Sequence, residues 1–260
     1  MSDISLFRPG DSGLHRLHPL TKLSISGISL LASITLPAGW MVAAFYFFVM
    51  VPLAAWGRMA KRFLATSARI IWPFMLSLFP IQGFFGRGTT VLFEIGRFTL
   101  KLEGILLAAD YSARILVGIG AAMMLMFVTR PDHLMQALGE RGFPRNLGYI
   151  VVTSLQIIPR FQDKAQMILN AQRARGLETQ GPLWQRARRL FPLIGPLILG
   201  SIIDIDERAI ALEARAFNHP GPKTSLHILA DSRGQKALRM VLTGLMVVLV
   251  FWRLWGWLAP

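Results

Sequence analysis

The sequence predicts an all-α integral membrane protein, with about five transmembrane helices and long amphipathic cytoplasmic helices between the fourth and last spans. Three observations carry that expectation. Of 260 residues, 53% are apolar and 16% charged, whereas an ordinary soluble domain is about 25% charged. The charges are lopsided, 28 Lys+Arg against 14 Asp+Glu, as in membrane proteins whose inner loops are basic. The apolar residues also gather into charge-free runs long enough to cross a bilayer. Disorder is excluded by the hydrophobicity, and a disulfide-stapled module by the absence of cysteine. Nucleic-acid binding fits the basic charge but not a mean hydropathy of +0.47.

The first run, Leu23 to Gly57, is uncharged throughout. One span needs about 20 residues, so a run of this length reads as two helices turning at Pro37-Ala38-Gly39, where proline stops a helix and glycine tolerates the turn. A basic loop follows, with Arg58, Lys61, Arg62 and Arg69. The third span, Ile70 to Gly86, contains Pro73 and Pro80 and is expected to kink. The fourth, Glu103 to Val128, carries Asp110 and Arg114 one helical turn apart, on one helix face. Its small residues Ala108, Ala109, Ser112, Ala113, Gly118 and Ala122 suit close helix packing, so this span is expected to lie against protein.

From Arg130 the character changes. Residues 130–239 hold 16 Lys+Arg and 9 Asp+Glu, with two apolar runs, Asn146–Pro159 and Leu190–Ile203. These are short for spans, and their periodicity continues into charged sequence. One stripe reads Val151, Leu155, Ile158, Phe161, Ala165, Ile168; the other reads Ile194, Ile198, Ile202, Ile205, Ala209, Leu212. Steps of three and four are helical, so two long helices are expected, separated at Gly181-Pro182. Ala237 to Trp257 gives the last span, with Trp252, Trp255 and Trp257 as an interfacial belt. With five spans, the basic N-terminal segment, the 58–69 loop and the 130–239 segment share one side, which the positive-inside rule makes cytoplasmic. The segment ahead of Leu23 lacks the basic-then-apolar order of a signal peptide. The expected organisation is a cytoplasmic segment 1–22, a four-helix membrane region 23–129, a cytoplasmic domain 130–236 and a last span 237–260.

The chemistry is mostly negative. The glycine cluster Gly83-Phe84-Phe85-Gly86-Arg87-Gly88 lacks the lysine of a phosphate-binding loop. The five histidines make no metal-ligand spacing with carboxylates, and no nucleophile constellation stands out. Two readings stand for Asp110 and Arg114: a proton or ion relay, the default for intramembrane ionisable groups, or a neutralised pair locking helices together.

The most informative feature is a repeated helix ending. One long helix closes with Ala171-Gln172-Arg173-Ala174-Arg175-Gly176-Leu177, the other with Ala211-Leu212-Glu213-Ala214-Arg215-Ala216-Phe217. A last-turn arginine suits the helix dipole and a following glycine suits a C-cap, which explains one instance. Two parallel instances suggest arginines presented on bare helix tips to acid-lined grooves, since guanidinium binds carboxylate with a planar fork that lysine lacks.

These endings, the entry Leu14-His15-Arg16-Leu17-His18-Pro19-Leu20-Thr21-Lys22-Leu23, and the stretch from Thr129-Arg130-Pro131 to Pro159-Arg160-Phe161 resemble the transmembrane T component of energy-coupling factor transporters. These are ABC-type vitamin and metal-ion importers of prokaryotes. The likeness covers essentially the whole chain and is strongest over 103–217. It implies that Arg175 and Arg215, flanked by Ala174, Gly176, Ala214 and Ala216, dock into grooves of two ABC-type ATPase subunits. It further implies that Val151, Leu155, Ile158, Ile194, Ile198 and Ile202 contact a membrane-embedded, substrate-binding S component, which selects the cargo. The implied partners are those subunits and membrane lipid, with no nucleic acid. This chain would hold no catalytic residue, metal or cofactor, ATP and Mg being bound by the ATPases. The implied location is the inner (plasma) membrane of a prokaryote, multi-pass, N-terminus cytoplasmic.

The chain departs from the family pattern twice. Ala216 stands where glycine is usual, and His18-Pro19-Leu20-Thr21-Lys22 stands where Asp-Pro-Arg-x-Lys is common. The competing function is a secondary transporter or channel using Asp110 and Arg114. A membrane enzyme is disfavoured by the missing nucleophile or metal constellation.

Overall fold

A computed structural model describes residues 12–86, 88–95, 98–176, 184, 191–217, 219, 221 and 231–258. The expected separator Gly181-Pro182 lies outside the described residues. The chain forms two compact units, Met1–Phe143 with Leu229–Pro260, and Pro144–Ile228.

In the first unit, α1 (Pro19–Thr35) starts with proline at a position that needs no N–H. It is 17 residues long and rich in hydroxyls. Ser24, Ser29 and Thr35 donate back to carbonyls one turn earlier in α1, and Ser26 donates to the Ala121 carbonyl at 2.8 Å. After the Pro37 turn, α2 (Gly39–Phe45) passes through a π segment (Tyr46–Met50) into α3 (Val51–Trp56). The wider turn sits just ahead of Pro52, which has no N–H, and the Val51 N–H reaches back to the Tyr46 carbonyl.

Helix α4 (Ala60–Phe85) runs through both Pro73 and Pro80. The basic stretch expected as a loop is therefore largely helical: Lys61, Arg62 and Arg69 lie on α4, where lysine, arginine and alanine favour helix. Between α4 and α5, in the stretch between the third and fourth expected spans, lies an antiparallel hairpin, β1 (Val91–Ile95) and β2 (Phe98–Lys101). Branched and aromatic residues favour that conformation. The hairpin is anchored where Glu103 accepts from the Thr90 hydroxyl at 2.7 Å and backbone N–H at 3.1 Å.

Helix α5 (Leu102–Val128) is the centre of this unit, packed against α1, α2 and α4. Half of its apolar window (50%) is buried, against 22%, 11% and 6% for the other three helices among the described residues that are long and apolar enough to span. The expectation that this span lies against protein holds. Its buried seam is Gly104, Ala108 and Ser112. A Cβ on Gly104 would collide with the Gln82 carbonyl oxygen, so glycine sets the closest approach of α4 and α5. Farther along, Val117, Ala121 and Met124 meet Val42, Tyr46, Met50 and Phe63 in the core. Helix α6 (Pro131–Gly139) follows, and the C-terminal helix (Arg233–Leu258), which comes last in the chain and is labelled α9, packs on α1.

Among the described residues, four helical stretches are long and apolar enough to cross a membrane: Gly39–Trp56, Ala60–Phe85, Leu102–Val128 and Arg233–Gly256. The expected first span corresponds to α1, which is shorter than these four. The protein is a mostly helical, multi-pass membrane protein. Of the C-terminal aromatic belt, Trp252 and Trp255 are exposed, and the Trp257 side chain lies outside the described residues.

The second unit contains α7 (Arg145–Ala174), which runs through Pro159, a 3-10 turn (Phe191–Leu193) and α8 (Ile194–Ala214). Both long helices are present where the two stripes placed them.

Candidate functional site

The two arginines end their helices in the same way. Arg175 is the C-cap of α7 with φ −87° and ψ 9°, and Arg215 is the C-cap of α8 with φ −89° and ψ 8°. Each is followed by a left-handed residue, Gly176 at φ 93° and Ala216 at φ 52°. The Gly176 N–H donates to the Arg173 carbonyl at 3.0 Å, and the Ala216 N–H to Glu213 at 2.9 Å. In α8 the Phe217 N–H also reaches the Leu212 carbonyl at 3.0 Å, completing a Schellman cap. Backbone bonds thus close both helix ends, leaving the guanidinium groups outside the capping. Ala174, Arg175, Gly176, Ala214, Arg215 and Ala216 are all exposed.

Contacts between α7 and α8 run antiparallel. Lys164 Nζ on α7 donates to the Gly200 carbonyl at 2.6 Å and to Asp204 Oδ2 at 2.7 Å on α8. Near the opposite end of α7, the Tyr149 ring lies 4.9 Å from that of Phe217, just beyond the C-terminal end of α8. Arg175 and Arg215 therefore close opposite ends of the pair. The apolar residues expected to face a membrane partner are open: Val151 is 39% exposed, Ile198 52%, and Leu155, Ile158, Ile194 and Ile202 fall between. α8 has no buried residue among those described.

Asp110 and Arg114 are paired, Arg114 Nε to Asp110 Oδ2 at 2.8 Å. The guanidinium also donates to the carbonyls of Ser33 at 2.8 Å, Ile34 at 3.3 Å and Leu36 at 3.0 Å. Those carbonyls belong to the C-terminal end of α1, where no intrahelical donor remains. A Cβ on Gly39 would collide with Asp110 Oδ1, so the α1–α2 turn sits directly on the pair. The arrangement is a helix cap, which favours the structural reading of the pair.

The departure at residues 18–22 also has a geometry. The His18 Nδ1 accepts from the Leu20 N–H at 3.3 Å and from Arg239 Nη1 of α9 at 3.0 Å. Arginine can only donate, so the imidazole is neutral with its proton on Nε2. Arg239 is buried and ion-pairs with Asp231. The His18 N–H donates to Gln235 Oε1 at 2.7 Å. Burial pushes the His18 imidazole below its ordinary 6.5; Asp231 opposes this and Arg239 reinforces it. Lys22 Nζ donates to the carbonyls of His15 at 2.8 Å and of Val128 at 3.0 Å, at the negative end of α5. The segment joins α1 to both α9 and α5.

Sequence reasoning passed over Lys164, Asp204 and Arg239. The signal for the first two was present: Lys164 and Asp204 are separated along the chain by the same interval as Arg175 and Arg215, so they occupy equivalent places in the two similar helices.

The family model for CbiQ, described as a cobalt transport protein, matches residues 10–226. The energy-coupling factor transporter transmembrane protein EcfT of Leuconostoc gelidum subsp. gasicomitatum is 27% identical over 263 residues, covering 97% of each chain. The protein of the same name from Listeria innocua is 29% identical, covering 94% of this chain and 95% of its own. That from Lacticaseibacillus paracasei is 30% identical, covering 93% and 96%. On the strength of a match that takes in all the membrane-region helices except the last and both arginine-tipped helices, the chain belongs to the CbiQ family of cobalt transport proteins.

Proposed function

We propose that this membrane protein is the non-catalytic energy-coupling subunit of an energy-coupling factor importer. In this reading it carries motion from two ATPase subunits to a substrate-binding S component that takes up a vitamin or metal ion. The relatives' shared name supports the class of machine. The observation that carries the roles of the residues is the matched pair of arginine caps at opposite ends of an antiparallel helix pair. Two equivalent, exposed forks suit two equivalent acid-lined grooves, one on each ATPase.

ATP and Mg belong to those ATPases, and this chain supplies docking. The basic N-terminal segment, the start of α4 and the 130–236 segment face the cytoplasm. When ATP draws the ATPases together, Arg175 and Arg215 move with them. The exposed stripes, with Val151, Leu155 and Ile158 on α7 and Ile194, Ile198 and Ile202 on α8, hold the S component and tip it.

A desolvated Arg–carboxylate pair loses about 2–5 kcal/mol when one partner is truncated. Arg175→Ala and Arg215→Ala therefore abolish ATP-driven uptake in proteoliposomes, the double variant most completely, with membrane insertion unchanged. Normal transport by both single variants would remove the docking role.

A further inference from the structure

We infer that Lys164 and Asp204 form a register pin that sets the spacing of the two docking arginines; this rests on the docking role proposed for Arg175 and Arg215. The starting point is arithmetic along the chain. Arg175 follows Lys164 at the same interval at which Arg215 follows Asp204. That interval makes about three helical turns and about 16 Å of rise. Each arginine thus stands on nearly the same helix face as the pin residue of its own helix. Because α7 and α8 run antiparallel, the two arms leave the pin in opposite directions with equal length.

The pin is built into α8. Lys164 Nζ bonds both the Gly200 carbonyl and the Asp204 carboxylate. A Cβ on Gly200 would meet Lys164 Cε at 2.7 Å, so the missing side chain lets the lysine lie across α8 as it does. A surface ion pair alone contributes little to stability, and Asp204 is 59% exposed. Its value lies in register. With no buried residue on α8 among those described, apolar packing beyond the Tyr149–Phe217 ring contact holds the two helices weakly in register. One polar contact that fits at a single offset then selects it, the best-attested use of a polar contact between helices. A slip of one turn on α8 would move Arg215 by about 5 Å relative to Arg175. Two docks act together only when their spacing matches that of the grooves.

The test uses the full chain in nanodiscs and the ATPase subunits that co-purify with it from native membranes, with binding affinity as the readout. Lys164→Ala, Asp204→Ala and the double variant should each weaken capture by about fivefold, the lower end of typical coupling between sites. Losses in the two single variants should not add, because they break one contact. In an Arg215→Ala background, where one dock remains, Lys164→Ala should cause no further loss. Lys164→Asp combined with Asp204→Lys should recover affinity relative to Lys164→Asp alone. Wild-type affinity in the pin variants overturns the proposal. So does an equal loss in the Arg215→Ala background, which marks a merely structural contact, or a failure of the charge swap to recover. If Arg215→Ala itself leaves capture intact, the docking role fails instead, and the pin has nothing to position.

Discussion

Gly176 and Ala216 hold the same left-handed place, one residue beyond Arg175 and Arg215, with φ of 93° and 52°. Only at the second does a Cβ occupy that conformation. A left-handed φ disfavours any side chain; the Ala216 value is near the small region alanine tolerates, while the Gly176 value is beyond it. Ala216→Gly should therefore stabilise the α8 cap by about 0.5 kcal/mol, net of the entropy glycine adds to the unfolded chain. Gly176→Ala should destabilise the α7 cap by about 1 kcal/mol. Thermal unfolding of the two variants in the same detergent checks both signs.

Arg114 and Asp110 make unequal contributions, although they form one pair. Arg114 caps three carbonyls at the end of α1, whereas Asp110 orients the guanidinium. Arg114→Ala leaves the carboxylate uncompensated and the carbonyls without donors, which costs about 3 kcal/mol. Asp110→Asn keeps an acceptor and costs about 1 kcal/mol. Unfolding midpoints should fall in that order, with ATP-driven uptake by Asp110→Asn close to wild type. A relay would give the reverse: an intact midpoint and lost uptake in Asp110→Asn.

The His18–Arg239 contact makes stability depend on pH. The folded state holds His18 neutral, with a pKa below the ordinary 6.5, chiefly through burial. Between those values the unfolded chain binds more protons, so stability rises with pH across the interval. It is complete above about 6.5, is lost as pH falls through that value, and levels off below the folded pKa. Protonation also removes the Nδ1 lone pair from Leu20 and Arg239. His18→Asn, which replaces the Nδ1 cap acceptor by an amide oxygen that does not titrate, should flatten this slope. His18→Asp should flatten it above about pH 5, where an aspartate is ionised, and also raise stability, since a carboxylate caps the helix and pairs with Arg239. Unfolding midpoints measured from mildly acidic to mildly basic pH decide the matter.

The spans were legible because a bilayer forbids charge over a long run, a constraint read residue by residue along the chain. α5 was legible as a span lying against protein because its small residues permit close helix approach and a charge pair is costly against lipid. The hairpin Val91–Lys101 was not, since its short strands show no long period and take their order from Glu103 beyond them. The start of α4 was obscured by its charges, which mark a membrane boundary without breaking a helix. At the proposed docking site, the arginines and their repetition could be read directly. The left-handed turn at Ala216 could not, because nothing in alanine announces it, and the bridge from Lys164 to Asp204 needed the antiparallel crossing.

In the proposed docking, the fork of the guanidinium, rather than its charge, is what the two helix tips offer, and lysine separates the two properties. Arg175→Lys and Arg215→Lys retain a cation at the negative end of each helix, so cap and helix stability are unchanged. They also retain the long-range attraction that governs encounter with an acidic groove. What they lose is the pair of parallel bonds to a carboxylate. Association of the ATPase subunits with nanodisc-held protein should therefore stay within about twofold of wild type, while dissociation quickens by about tenfold. Alanine at the same positions should quicken dissociation further and also slow association. If lysine matches arginine in dissociation rate, charge alone holds the tips. In that case the small residues flanking Arg175 and Arg215 would tolerate bulk, and Ala174→Leu and Ala214→Leu would bind the ATPases as wild type does.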